Sequence, residues 1–448
     1  MNLKTITAAA LLIASAGDAY AKVSPQQASE LGNKLTSMGA QMSGNASGSI
    51  PTFSGGLKID ESVDPFLDIY ADEKPLFVIT AENLAQHKKN LSDGQLAMFE
   101  KYPASYKMPV YQTHRTAAYS QKVHEKAQKN VSQTTLVSDG NGLSHFDETV
   151  PFAIPQNGVE VIWNHISRYR GGSLMRNTAT VNVQRNGDFT PIKLRSTFSR
   201  PEYLLDGYDA KRDDNILFYF LQSIKSPARY TGNLYLVHET IDQVSQPRMA
   251  WTYNSGQRRV RRAPQVAYDA PGQASDGLRT VDQGDMFNGA PDRYNWKLIG
   301  KKEVYIPYNS YKLASRDAKY KDIVQPNHIN QDLTRYELHR VWQVEATLKE
   351  GARHLYNKRT FYVDEDSWQI ALADHYDDRG ELWRTAEGHA LQFTNVGANW
   401  YVGLTYYDLF SGRYLADLNN EERDAYIFNQ QFERKNFTAT ALRRKGKR

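Results

Sequence analysis

The sequence predicts an α+β protein built on a large, curved antiparallel sheet. From Val150 onward, short runs of strand-like alternation follow one another, separated by Gly, Asn, Asp and Pro turns. Before Val150, apolar residues fall at helical spacing in short stretches. The chain also carries 28 Tyr against 17 Phe and 7 Trp, a bias toward sheets and toward surfaces wet on one side and apolar on the other.

Residues 1–21 have the form of a cleavable export signal. Lys4 gives a short basic start, Ile6 to Ala16 is apolar and small, and Ala19-Tyr20-Ala21 is the cleavage motif. Cleavage after Ala21 leaves 427 residues, enough for a large core. With no Cys there is neither a lipidation site nor a disulfide framework. An exported, soluble, unlipidated protein stabilised by burial alone is expected. No later stretch reaches the ~18 uninterrupted apolar residues of a membrane helix. A net charge of +5 among 23% charged residues is mild and gives no reason to expect nucleic acid as a partner.

Residues 22–150 read as helices and loops. Ser24 caps a helix with Pro25 first, running to about Leu35. Thr80 caps Ala81 to Asn90, and Ser92-Asp93-Gly94 restarts a helix that ends before Tyr102-Pro103. A fourth runs from about Ser120 to Gln133, with Val123, Ala127 and Val131 on one face. These helices are short and only partly apolar, so they are expected to pack on something else, as a lid.

Residues 151–430 read as the antiparallel domain. Strands are expected at Val159–Trp163, Ala179–Gln184, Ile216–Leu221, Leu234–His238, Trp296–Tyr308, Tyr336–Leu348, Lys358–Val363, Trp368–Tyr376, Glu381–His389 and Trp400–Leu409. In the middle lies RMAWTYNSGQRRVRRAP. Met249, Trp251 and Tyr253 alternate with Ala250 and Thr252, Asn254 to Gln257 is turn chemistry, and the chain returns through Arg258, Arg259, Arg261 and Arg262 around Val260. Four such close guanidiniums need solvent or anions, so this strand is either a solvated face or a contact for headgroups or a partner. Residues 264–295, rich in Pro, Gly and Asp, form an inserted crossing loop. Asn419 to Phe428 reads as a late helix, and residues 431–448 as a basic tail whose end, Arg443 to Arg448, is expected to fray.

Catalytic signatures are missing from the sequence: no G-x-S-x-G elbow, no H-E-x-x-H, no phosphate loop and no dinucleotide fingerprint. His238-Glu239 on a strand point to opposite faces. Asp364-Glu365-Asp366 has the composition of a metal cluster but sits between strands, where Asp favours a turn. A non-enzymatic protein without metal or cofactor is therefore expected. The informative residues are apolar. Trp163, Phe218, Phe220, Trp251, Tyr253, Trp296 and Trp342 are spread over the strands. They either fill an ordinary core or line a cavity for an acyl chain or polycyclic molecule.

Several long motifs carry a resemblance. The hairpin WTYNSGQRRVRRAP resembles that of the periplasmic lipoprotein-carrier (LolA/LolB-like) superfamily. Tyr102 to Tyr111 with Thr113-His114-Arg115, Gly158 to Gly171, Gln257 to Pro271 and Asp292 to Asn309 resemble domain of unknown function 1329. Ile50 to Gly56 also fits, with Phe53 where that family suggests Trp. The resemblance implies an incomplete antiparallel barrel whose concave face is covered by N-terminal helices and loops, in a soluble periplasmic protein of a Gram-negative bacterium. It further implies neighbourhood with an inner-membrane exporter and an outer-membrane protein.

Two functions follow as expectations. The first is a periplasmic carrier of a lipid or other hydrophobic molecule, the seven aromatics lining its cavity and the four arginines contacting a headgroup or partner. The second is a non-catalytic sensor or structural module of an envelope complex. An outer-membrane barrel is disfavoured by the basic end RRKGKR and the long helical front.

Overall fold

The computed structural model describes residues 23–263 and 268–446, so the expected export signal lies outside the described residues. Its helices are α1 (Pro25–Ala28), α2 (Leu84–His87), α3 (Asp93–Lys101), α4 (Gln121–Gln133), α5 (Gly158–Ser167), α6 (Ala210–Asp213), α7 (Tyr311–Ala314), α8 (Tyr320–Ile323) and α9 (Ala439–Gly446). Short strands β1 (Phe77–Ile79), β2 (Met108–Val110), β3 (Thr135–Val137) and β4 (Gly142–Ser144) precede the main sheet. That sheet contains β5 (Leu174–Val183), β6 (Pro191–Ser199), β7 (Ile216–Ser226), β8 (Leu234–Thr240), β9 (Met249–Asn254) and β10 (Arg259–Arg262). It continues through β11 (Tyr294–Pro307), β12 (Tyr336–Leu348), β13 (Lys358–Asp364), β14 (Ile370–Tyr376), β15 (Leu382–Phe393), β16 (Ala398–Asp408), β17 (Tyr414–Leu418) and β18 (Tyr426–Ile427).

Sixteen strands form one open sheet in the order β1-β2-β12-β13-β14-β15-β16-β17-β5-β6-β7-β8-β9-β10. β11 pairs with β12 and β18 with β5; β3 and β4 form a separate hairpin. All pairs are antiparallel except the short β2–β12 contact. The sheet does not close, and the arginine strand β10 is one of its edges.

Both faces are covered, which is why long strands such as β14 and β16 are buried along their whole length. On the inner face, Val344, Phe361, Ala373 and Ala386 meet α5 and the N-terminal residues Met38, Tyr119, Val123 and Ala127. The start of α5 lies so close to β11 and β12 that a Cβ on Gly158 would stand 3.0 Å from Val344 and 3.1 Å from the Trp296 backbone. On the outer face, α3 crosses β14 and β15. A Cβ on Gly94 would collide with Thr385 and Asp374, both within 2.1 Å. The N-terminal region therefore covers part of the inner face and also crosses to the outer one.

Helix α3 starts at Ser92 with a full capping box and ends at Tyr102, as its sequence predicts. The Ser24 cap also forms, but α1 is only four residues long. Three expectations are corrected. Val159–Trp163 is helical, in α5, because Asn157 caps it and Val161, Ile162 and Trp163 are buried between sheet and N-terminal layer, Glu160 with them. Asn419–Phe428 forms turns and strand β18, which pairs with β5. Residues 443–446, expected to fray, continue helix α9, which with Phe437 and Leu442, 1% and 0% exposed, packs on the outer face of β7–β9.

Candidate functional site

A cavity of about 350 Å³ lies between the inner face of β5–β9 and the segment 271–288 of the crossing loop. The period-two alternation of the strands selects its wall. Leu194 and Phe198 on β6, Phe218 and Phe220 on β7, and Val237 on β8 face it, with Trp400 from β16. The Phe198 and Phe218 rings meet at 4.9 Å.

The opposite wall is the loop, and it is anchored rather than free. Arg168 and Arg170 reach Asp285 at 2.9 and 2.8 Å. Arg248 pairs with Glu239 at 2.8 Å and donates to the Asn288 carbonyl at 2.7 Å. Arg279 pairs with Asp417 on β17. Loop residues Leu278, Met286 and Phe287 are buried in the core. His165 sits between the Trp368 and Asp285 carbonyl oxygens at 3.2 and 2.8 Å. Burial, with Arg168 beside it, pulls its pKa down to about 3, so the imidazole is neutral there.

Electrostatically the cavity is cationic. Arg170, Arg176, Arg248 and Arg279 line it against Glu239, Asp285 and Asp417. Burial, with Arg168 and Arg200 nearby, lowers the Arg170 pKa to about 10 despite Asp285. The arrangement supplies apolar surface together with fixed positive charge.

Of the seven aromatics expected to share a cavity, the structure brings only Phe218 and Phe220 to this one. Trp163 is 2% exposed in α5 and donates to the Gly140 carbonyl. Trp296 packs between Phe287 and Phe361, and Trp342 stacks on Trp368. Trp251 and Tyr253 lie on the opposite face, because register sets them against Leu236 and Leu234 under the C-terminal segment. His238 and Glu239 diverge as expected: His238 meets Trp251 outside, and Glu239 lines the cavity. Arg258 occupies the turn, while Arg259, Arg261 and Arg262 are exposed on the edge strand. Arg261 stands opposite the cavity-lining Thr252, and Arg262 opposite Trp251, so the arginines divide between the two faces. Sequence reasoning missed Arg170, Arg176, Arg248 and Arg279. The signal for Arg176 was its place at inward parity in β5, a strand that begins five residues before its expected start at Ala179.

Among the described residues one cluster has metal-ligand composition: His339, Asp364 and Asp366 bring one ligand atom each within 4.8 Å. Arg115 already holds both Asp366 oxygens, at 2.8 and 2.7 Å, and His339 contacts Glu337 at 3.1 Å. Burial alone lowers the His339 pKa, but Glu337 and Asp364 outweigh it and raise it. The donors are thus engaged in a buried ion network at the turn that follows β13.

Residues 78–443 match the family model described as protein of unknown function (DUF1329). An uncharacterized protein of Pseudomonas aeruginosa, PA3922, is 56% identical over 433 residues, covering 96% of this chain and 95% of its own. Among solved structures, a DUF1329 family protein from Desulfovibrio piger aligns at TM-score 0.41 and 16% identity, over 60% of this chain and 92% of its own. A LolA superfamily protein from Nitrosomonas europaea aligns at TM-score 0.38 and 13% identity, over 63% and 98%. The chain belongs to the DUF1329 family.

Proposed function

We propose that this DUF1329 protein is a non-catalytic carrier that binds a lipid or other hydrophobic molecule in the periplasm. The observation that carries the reading is the 350 Å³ cavity with Phe198, Phe218, Phe220 and Trp400 in its wall. That volume is at the lower end of the ~300–1,000 Å³ typical of ligand sites. Burial of ligand surface at ~25 cal/mol per Å² supplies the affinity, less the cost of ordering the ligand. The exposed arginines of β10 suit contact with an anionic membrane surface or an acidic partner, such as a component of an exporter, during loading or delivery.

The test is native mass spectrometry with lipid extraction on the protein purified from its own cell envelope. A stoichiometric apolar molecule supports the carrier reading and identifies the cargo class. A clean apo mass, with no uptake of added fatty acid or sterol-like probes, overturns it.

A further inference from the structure

We propose that the cargo is an anionic amphiphile and that Arg176 is the anchor for its carboxylate or phosphate head. This rests on the carrier reading and names the ligand chemistry of the same cavity. Arg176 is half-buried on β5 and lines the cavity. The other three arginines of the wall each have a carboxylate: Asp285 for Arg170, Glu239 for Arg248 and Asp417 for Arg279. Among the described residues no carboxylate stands within the 4.0 Å ion-pair distance of Arg176. Its guanidinium lies instead over the rings of Trp400 and Tyr426, at 5.7 and 6.0 Å from their centroids.

Stacking on aromatic faces offsets part of the cost of holding a cation in an apolar site. One N–H is directed at the Tyr426 hydroxyl, and the ring contacts leave the other donors of the guanidinium for an oxyanion. The two carboxylates whose charge reaches Arg176 are each paired elsewhere, Asp285 with Arg168 and Arg170 and Asp417 with Arg279. The cavity therefore holds one more cation than its own anions balance, beside apolar surface that suits a chain. An anionic head on such a chain completes both.

The experiment titrates the purified protein at pH 7.5 with decanoate, decyl phosphate and decanol, by calorimetry. It is repeated with Arg176→Gln and Arg176→Lys, each checked for wild-type melting. The expected result is tight binding of one or both anions and weaker binding of decanol. Arg176→Gln loses about 10- to 100-fold for the anion, as for a lost charge-assisted hydrogen bond, and changes decanol binding less than about twofold. Arg176→Lys recovers part of the loss, since charge without the fork is retained. Preference for decanoate or for decyl phosphate distinguishes a fatty-acid-like from a phospholipid-like head. Equal binding of decanol and both anions, unchanged in Arg176→Gln, overturns the anchor and leaves the carrier reading standing. Failure of all three to bind overturns both.

Discussion

Arg359 Nη1 donates to Asp282 Oδ2 at 2.7 Å, and both side chains are sealed from solvent. The bond joins the crossing loop to β13, in the middle of the sheet. His354 adds a second contact to the same oxygen at 3.0 Å. Burial alone would raise the Asp282 pKa, but Arg359 and His354 hold it well below the usual carboxylate range. Asp282→Asn leaves the guanidinium buried without its counter-charge. We expect a loss of about 3–5 kcal/mol in urea denaturation, the usual cost of breaking a buried pair. A loss below about 1 kcal/mol would show that the loop is held by its apolar residues instead.

Burial raises the Glu387 pKa to about 7, although the Tyr336 and Tyr106 hydroxyls donate to the carboxylate at 3.0 and 3.3 Å. His389, 3.7 Å away, is neutral because burial lowers its pKa to about 3, so that contact is no ion pair. Between the unfolded value of ~4.3 and about 7, the folded state keeps a proton that the unfolded state has released. Stability therefore falls as pH rises through this window and stays at the lower level above it. Asp374, raised to about 6 by burial, adds to the same slope. Glu387→Gln should flatten the profile and gain on the order of 1–3 kcal/mol at pH 8, with little gain at pH 4. Denaturation midpoints across that range check it, and an unchanged slope counts against it.

Phe220 and Trp251 face opposite sides of the sheet. Phe220→Ala should weaken binding of a fluorescent apolar probe several-fold. Trp251→Ala should leave probe affinity within about twofold and lower the melting temperature, since the indole packs near His238 and the C-terminal segment. The reverse pattern would move the ligand to the outer face.

Removing residues 431–448 takes away Phe437 and Leu442, both nearly fully buried. At ~1.5–3 kcal/mol for each buried side chain, the loss is several kcal/mol. Hydrogen exchange should accelerate first in β8, β9 and β10. Unchanged protection there would mean that the helix adds nothing to the sheet edge.

Much of the architecture was legible in local pattern. The central hairpin, the β12 bounds and the Ser92 cap each follow from alternation, turn residues or capping chemistry within a few residues of chain. The α5 segment was not, because Glu160 between Val159 and Val161 gives the alternation of a strand, and only the tertiary structure buries that carboxylate along with the apolar residues of a helix. The C-terminal helix was hidden by its charge, since Arg443, Arg444 and Lys445 directly follow the Leu442 that it buries.

The sequence by itself determined the mixed class, the antiparallel sheet, the family and the exposed arginine strand, because these depend on short-range pattern and on long shared motifs. It also determined that Trp251 and Tyr253 share a face. Only the tertiary structure decided which face. Period two relates neighbours on one strand, whereas inside and outside are set by strand register and by what covers each side, and here both sides are covered. The cavity followed the same rule. Its wall joins β5–β9, Trp400 and the loop, segments brought together only by the order of strands in the sheet. Ion pairing across that distance decided which arginines are satisfied and left Arg176, among the described residues, without a carboxylate at ion-pair distance.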